Sequence, residues 1–144
     1  MSIQVNIPIT AKLQKMASQQ SVDTLVRTIA QSMLGETRDR IFESGLNAKA
    51  SPIGTYSPEY IRVRARKYNR GTSSKVILSL TGQMENDWSV IPLGNSSYGL
   101  GFKNSVNADK AEWNEDRYGK VFALTPDELK QVNAIVIEWI NKQI

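Results

Sequence analysis

The stretch from Lys75 to Glu128 constrains the fold most, because three short apolar runs follow one another there with turn residues between them. The runs lie at residues 76–80, 88–91 and 98–102, and they have the length and the β-branched or aromatic content typical of strands. Gly and Asn at 94–95 supply the positive φ angles that a tight hairpin turn requires. The stretch therefore predicts a small antiparallel sheet, a three-stranded meander, with one helical turn ahead of its second strand.

An amphipathic helix is predicted on each side of this meander. From Ser21 onward, apolar residues recur every three or four positions, which predicts a long N-terminal helix with Ser21 as N-cap and Gly45 as its stop. Residues 125–128, TPDE, have the pattern of a capping box with proline at the first helical position, so a C-terminal helix follows. Its inward-facing residues are predicted to be Leu129, Val132, Val136, Ile137, Ile140 and Ile144.

The N-terminal residues add a further strand to the prediction. Apolar and polar side chains alternate from Ile3 to Ile9, which indicates a half-buried strand, and Pro8 favours an edge position because it cannot donate to a ladder. The sequence leaves open whether this strand pairs within its own sheet or with a neighbour. A short helix is also predicted from Ala108 to Asp116. These elements predict an α+β fold, and 144 residues fit a single domain, 1–144.

A long basic loop or arm, residues 45–74, is predicted between the first helix and the meander. Residues 45–57 contain several turn formers and few core candidates, which predicts a long exposed loop. Ser57-Pro58-Glu59 has the pattern of a helix start. Residues 61–66 also alternate as in a strand; we favour a short helix because the start signal is specific. The segment carries the cations Arg62, Arg64, Arg66, Lys67 and Arg70.

Composition argues against catalysis. The chain has neither cysteine nor histidine, which removes disulfides, thiolate metal sites and every Ser-His or Cys-His arrangement. Glu112, Glu115 and Asp116 form an acidic cluster, which we interpret as a solvated helix face rather than a metal or acid–base site. We therefore expect no enzyme activity, no metal and no cofactor. No apolar run approaches the roughly 20 residues of a membrane span, and the N-terminus lacks the pattern of a signal peptide.

Positive charge is concentrated in the first half of the chain. Residues 1–72 carry 11 Lys+Arg against 5 Asp+Glu, a net +6, whereas residues 73–144 carry 7 against 9, a net −2. The basic arm has three interpretations: docking on an acidic protein surface through guanidinium pairs, binding of nucleic acid with Tyr60 and Tyr68 stacking on bases, or simple solvation. We favour protein docking and keep a small basic DNA-binding module as the alternative.

The order of several motifs is similar to that of a known family. After the amphipathic helix come GTYSP at 54–58, the basic residues, and LTGQM at 80–84; after the hairpin come Gly101-Phe102 and RYGKVFALTPDE at 117–128. This ordered set resembles the tail-completion or neck proteins of tailed bacteriophages, the virion morphogenesis group. The chain departs from many members at 113–115, where they carry a histidine and it has Trp-Asn-Glu.

The resemblance implies a structural virion protein, made in the host cytoplasm, that completes the tail and joins it to the head connector. Such proteins form a homo-oligomeric ring, often sixfold, and contact the adjacent portal, connector and tail proteins, with non-specific contact to DNA in the lumen. The partner-binding residues of the arm would then be Arg62, Arg64, Arg66, Lys67 and Arg70. The candidates for the subunit interface are Trp113, Arg117 and Tyr118.

Overall fold

The computed structural model of the protein describes residues 4–6 and 19–143, and they form the predicted α+β fold. In chain order the elements are β1 (Gln4–Asn6), α1 (Gln19–Arg38), α2 (Pro58–Tyr68), α3 (Gln83–Asp87), β2 (Trp88–Gly94), β3 (Ser97–Phe102), α4 (Ser105–Tyr118) and α5 (Pro126–Gln143). A π-helical segment, Asp39–Glu43, continues α1. None of the helices in the described part of the chain is long and apolar enough to cross a membrane.

The sheet has the strand order β1-β3-β2, and both pairings are antiparallel. Leu100 in the central strand lies opposite Val5 on one side and Val90 on the other. Gly94 and Asn95 adopt the positive φ angles that the hairpin prediction required, and Ser96 in the same turn adopts one as well. The N-terminal strand pairs within its own chain at the sheet edge over residues 4–6; the other residues of that prediction lie outside the described part.

The predicted first strand of the meander is wrong: residues 76–80 form no strand. Their backbone pairs with the preceding loop, since the Val76 N–H donates to the Gly54 carbonyl at 3.0 Å and the Ile77 N–H donates to the Tyr56 hydroxyl at 3.1 Å. In a meander this run would pair with β2, which instead remains an edge strand of the described sheet. Val76 is fully buried, so the apolar run at 76–80 reflects contact with the core and not membership of a strand.

The segment 45–74, predicted as an extended loop or arm, folds back onto the domain. The Ala48 N–H donates to the Lys120 carbonyl at 3.0 Å, and Ile53 is buried in the core. Gly45 has a φ of +65°, and a Cβ added there would lie 2.5 Å from the Val76 carbonyl oxygen, so the chain can turn closely here only with glycine. The short helix predicted within this segment is confirmed as α2.

Aromatic rings form the centre of the core beneath α1. The Trp88 ring lies 5.0 Å from that of Phe102 and 5.5 Å from that of Phe122, and its indole N–H donates to the Thr37 hydroxyl at 2.8 Å. The long amphipathic helix is confirmed, but the Ser21 cap is wrong, since Ser21 lies inside the helix, which the structure describes from Gln19 onward. Its buried apolar residues, from Val22 to Met33, belong to the hydrophobic core.

The two C-terminal helices depart from prediction at particular residues. Helix α4 begins at Ser105, not Ala108, because the Asn104 side chain accepts the Val106 N–H at 2.9 Å and caps the helix. In α5 the capping box is confirmed. The inward positions predicted at Leu129 and Ile137 are wrong, since these residues are 40% and 58% exposed.

Candidate functional site

A groove of about 710 Å³ lies between α2 and α4, with residues 77–84 at its base; we call it the α2–α4 groove. Its aromatic lining comes from Tyr56, Tyr60, Tyr68, Trp113 and Tyr118. Its cations are Arg64, Lys110 and Arg117. No Asp or Glu of the described residues lines it. A groove of this volume is in the size range of protein binding pockets, and its lining is both aromatic and cationic.

Helix α2 supplies one wall because of how it starts. The Ser57 hydroxyl accepts the Tyr60 N–H at 3.2 Å, and Pro58 occupies the first helical position, so the helix begins at a defined residue. Tyr60, Arg64 and Tyr68 are then spaced by four residues and share one face, which lines the groove.

Arg64 is a buried cation, 7% exposed. Its guanidinium carbon lies 4.6 Å from the centre of the Tyr56 ring and 5.9 Å from that of Tyr60, both in the range of cation–π contacts. It donates one long hydrogen bond, 3.4 Å, to the Ser79 carbonyl. Arg64 forms no ion pair with a carboxylate of the described residues. Its charge is therefore held by rings and one carbonyl alone.

Tyr56 fixes the base of the groove beside Arg64. Its hydroxyl donates to the Ile77 carbonyl at 2.6 Å and accepts the Ile77 N–H at 3.1 Å. Its ring packs edge-to-face with that of Tyr60, with the ring centres 5.1 Å apart. Burial raises the pKa of the Tyr56 hydroxyl, and the nearby Arg64 charge opposes that rise in pKa only in part. Tyr56 is therefore a neutral, doubly hydrogen-bonded support for Arg64.

Helix α4 forms the opposite wall. Trp113 is 65% exposed, and the Arg117 guanidinium carbon lies 5.4 Å from the centre of the Tyr118 ring. Lys110 donates to the side-chain oxygen of Gln83 at 3.3 Å. A Cβ added at Gly54 would lie 2.9 Å from the Tyr118 ring, so the loop before α2 approaches this wall closely. The groove thus joins a loop and two helices.

The five cations predicted to bind a partner through the arm lie in different environments. Arg64 lines the groove, and Arg70 is held by donating to the Leu80 carbonyl at 2.9 Å. Arg62, Arg66 and Lys67 are exposed outside the groove lining. By contrast, all three predicted interface residues line the same groove as Arg64: Trp113, Arg117 and Tyr118.

Sequence reasoning missed Tyr56 and Lys110 as groove residues. Tyr56 precedes a helix cap and carries no motif of its own, so its position depends on the hydrogen bonds to Ile77. The spacing of Tyr60, Arg64 and Tyr68 was the one signal that could have indicated a face. Lys110 joins the site only through the packing of α4.

The acidic cluster has a structural use at one of its residues. A Glu115 carboxylate oxygen accepts the backbone N–H groups of Val121 and Phe122, at 2.8 Å and 3.0 Å, and so holds the turn after α4. In the part of the chain that the structure describes, no group of three or more His, Cys, Asp or Glu side chains could hold a metal ion.

Comparison of the chain with models of protein families, with curated proteins and with solved structures gives no match. The resemblance to tail-completion proteins stays a prediction, and the α2–α4 groove is interpreted from its own geometry.

Proposed function

We propose that this protein is a non-enzymatic structural subunit of a phage neck or tail top, which forms an oligomeric ring, completes the tail and joins it to the head connector. The observation that carries the proposal is the convergence of two predicted contact regions on one groove. Arg64 comes from the basic segment, and Trp113 and Arg117 come from α4. The convergence favours a docking surface, and the ordered motifs favour the family.

The residue types at the groove support docking. Trp, Tyr and Arg are the residues that most often dominate binding energy at protein interfaces. Trp113 is 65% exposed, so a large ring at the edge of the groove is available to a partner. A contact between unlike surfaces, repeated by rotation, closes a ring, and the exposed edge of the groove at Trp113 supplies one such surface.

Native mass spectrometry at near-physiological salt tests the ring. We expect one closed oligomer for the wild type, a shift toward monomer for Trp113→Ser, and no change for Val106→Ser. Val106 is the matched control because it is exposed on the same helix, at 56%, and is outside the groove lining. A wild-type chain that stays monomeric up to its solubility limit would contradict ring formation.

The second candidate is a small basic DNA-binding module. The specific observation in its favour is that Arg62, Arg66 and Lys67 are exposed on α2, the helix that also carries Tyr60 at 38% exposure. The same measurement with a short DNA duplex separates the two candidates. We expect no stoichiometric complex; a tight one that weakens steeply with salt would favour DNA binding, because each neutralised phosphate releases counterions.

A further inference from the structure

We propose that the α2–α4 groove receives an acidic segment of a partner protein, with one carboxylate of that segment seated against Arg64. The inference deepens the proposed function, since it names the chemistry of the partner at the same docking surface. It is carried by the burial and the pairing of Arg64, and by the charge of the groove around it.

Among the described residues, Arg64 lacks the carboxylate partner that a buried cation ordinarily has. Buried charges are commonly paired, because removing a charge from water is costly without a counter-charge. Arg64 is 7% exposed, yet its contacts are two tyrosine rings and a 3.4 Å hydrogen bond to a carbonyl. A carboxylate supplied by a partner would complete the missing pair, and a guanidinium can bind it through two parallel hydrogen bonds.

The other charges in the groove have the same sign. Lys110 and Arg117 of α4 line it, and no Asp or Glu of the described residues does. The Lys110 ammonium contacts a neutral amide oxygen, that of Gln83, at 3.3 Å. A cleft lined by one sign of charge concentrates the field and attracts the opposite charge. The groove is therefore complementary to a negatively charged ligand.

The shape and the lining favour a carboxylate side chain over a nucleic-acid phosphate. Arg64 lies against the Tyr56 and Tyr60 rings, and the lining of the same groove includes the apolar residues Leu78, Leu80 and Met84. An Asp or Glu side chain carries its charge on a slim stem, whereas a phosphodiester is flanked by two sugars. Apolar residues of the same segment would contact the apolar part of the groove lining.

A selection with displayed random peptides tests the inference without knowledge of the partner. The full chain is immobilised as wild type, as Arg64→Met and as Arg62→Met. Methionine keeps an unbranched apolar stem and removes the charge, and Arg62 is the matched control because it is exposed on the same helix. The affinity of the peptide selected most often is then measured by fluorescence anisotropy, against a version with Gln and Asn in place of Glu and Asp.

We expect wild type and Arg62→Met to select peptides enriched in Asp or Glu next to an apolar residue, and Arg64→Met to lose that enrichment. The neutral peptide should bind at least about tenfold more weakly, since hydrogen bonds to charged groups are the stronger ones. Circular dichroism melting checks that Arg64→Met is folded. If Arg64→Met does not fold, Arg117→Gln takes its place, because Arg117 lies at an exposed position of the same groove. That variant is expected to bind the same peptide several-fold more weakly.

Four results would overturn the inference: no enriched peptide, enrichment without acidic residues, equal selection by Arg64→Met, or displacement of the peptide by a mixed-sequence single-stranded oligonucleotide. Loss of self-association in Arg64→Met would also overturn it, because the groove occupant would then be a second copy of this chain. A wild-type chain that fails to form a ring contradicts the proposed function alone, so the two failures are distinguishable.

Discussion

Arg40 and Arg64 are both buried cations, at 8% and 7% exposure, but their surroundings differ. Arg40 donates to the Glu128 carboxylate at 3.1 Å and to three backbone carbonyls at 2.9–3.1 Å. Arg64 has no ion pair with a described carboxylate and one long hydrogen bond. Arg40 is therefore a structural cation that links the π-helical segment after α1 to α5. The Arg64 guanidinium, by contrast, can still donate hydrogen bonds to a carboxylate ligand.

Arg40→Met should destabilise the fold by about 3–5 kcal/mol, because it leaves the Glu128 carboxylate buried without its counter-charge. The measurement is the free energy of unfolding from urea titration. Lys130→Met is the matched control: the Lys130 side chain is 81% exposed, so its loss should change stability by no more than about 0.5 kcal/mol. A loss below about 1 kcal/mol for Arg40→Met would show that the pair does not stabilise the fold.

Tyr56 predicts a pH dependence at the alkaline end. Burial raises its pKa in the folded state, so the folded chain binds the phenolic proton more tightly than the unfolded chain does. Its contribution to stability is fully present below the ordinary tyrosine pKa of about 10 and is lost as the pH rises through the folded-state pKa. In an ultraviolet titration of tyrosinate, the component that ionises last should be missing from Tyr56→Phe. An unchanged last component would assign it to another tyrosine.

At the scale of elements, local signals predicted the fold where one residue dictates the backbone. Ser57 and Thr125 cap their helices as predicted, and the positive φ angles at Gly94 and Asn95 form the predicted hairpin. The strand predicted at 76–80 is wrong because an apolar run indicates burial but does not show which backbone groups will pair with it. The groove could not be predicted either, because its two walls are 46 residues apart, from Arg64 to Lys110, and meet only through tertiary packing.

The cap of α2 determines how firmly the groove wall is held. Ser57→Ala removes the acceptor of the Tyr60 N–H and should cost about 1 kcal/mol, concentrated in α2. Hydrogen exchange should show reduced protection of the α2 amides and no change in α5. Ser57→Asp is the matched control, since Asp is an equally good N-cap and should keep the protection. Equal protection in Ser57→Ala and wild type would mean that packing alone holds α2.

At the scale of the whole molecule, exposed cations of α2 lie outside the groove lining, although Lys67 contacts the ring of the groove residue Tyr68. Arg62, Arg66 and Lys67 are exposed, so reversing all three to Glu should leave the melting temperature nearly unchanged while removing contacts with an acidic neighbour or with DNA. Arg64 is left out of this variant because a buried Glu beside the tyrosine rings would disturb the fold.

Under the proposed function, the measurement for that triple variant is its ability to complement a phage that lacks this protein. The comparison is with Lys103→Glu/Lys142→Glu, two exposed charge reversals elsewhere on the molecule. We expect the triple variant to fail in head–tail joining and the double variant to succeed. Success of both would show that the exposed face of α2 is not a contact in the virion.

The placement of the three tryptophans gives the protein a built-in optical reporter. Trp88 is fully buried among aromatic rings and Trp139 is partly buried against the core, whereas Trp113 is 65% exposed at the groove. A water-soluble quencher will therefore extinguish mainly the emission of Trp113. Occupancy of the groove can be followed by the recovery of that emission, without a label and in the unmodified chain.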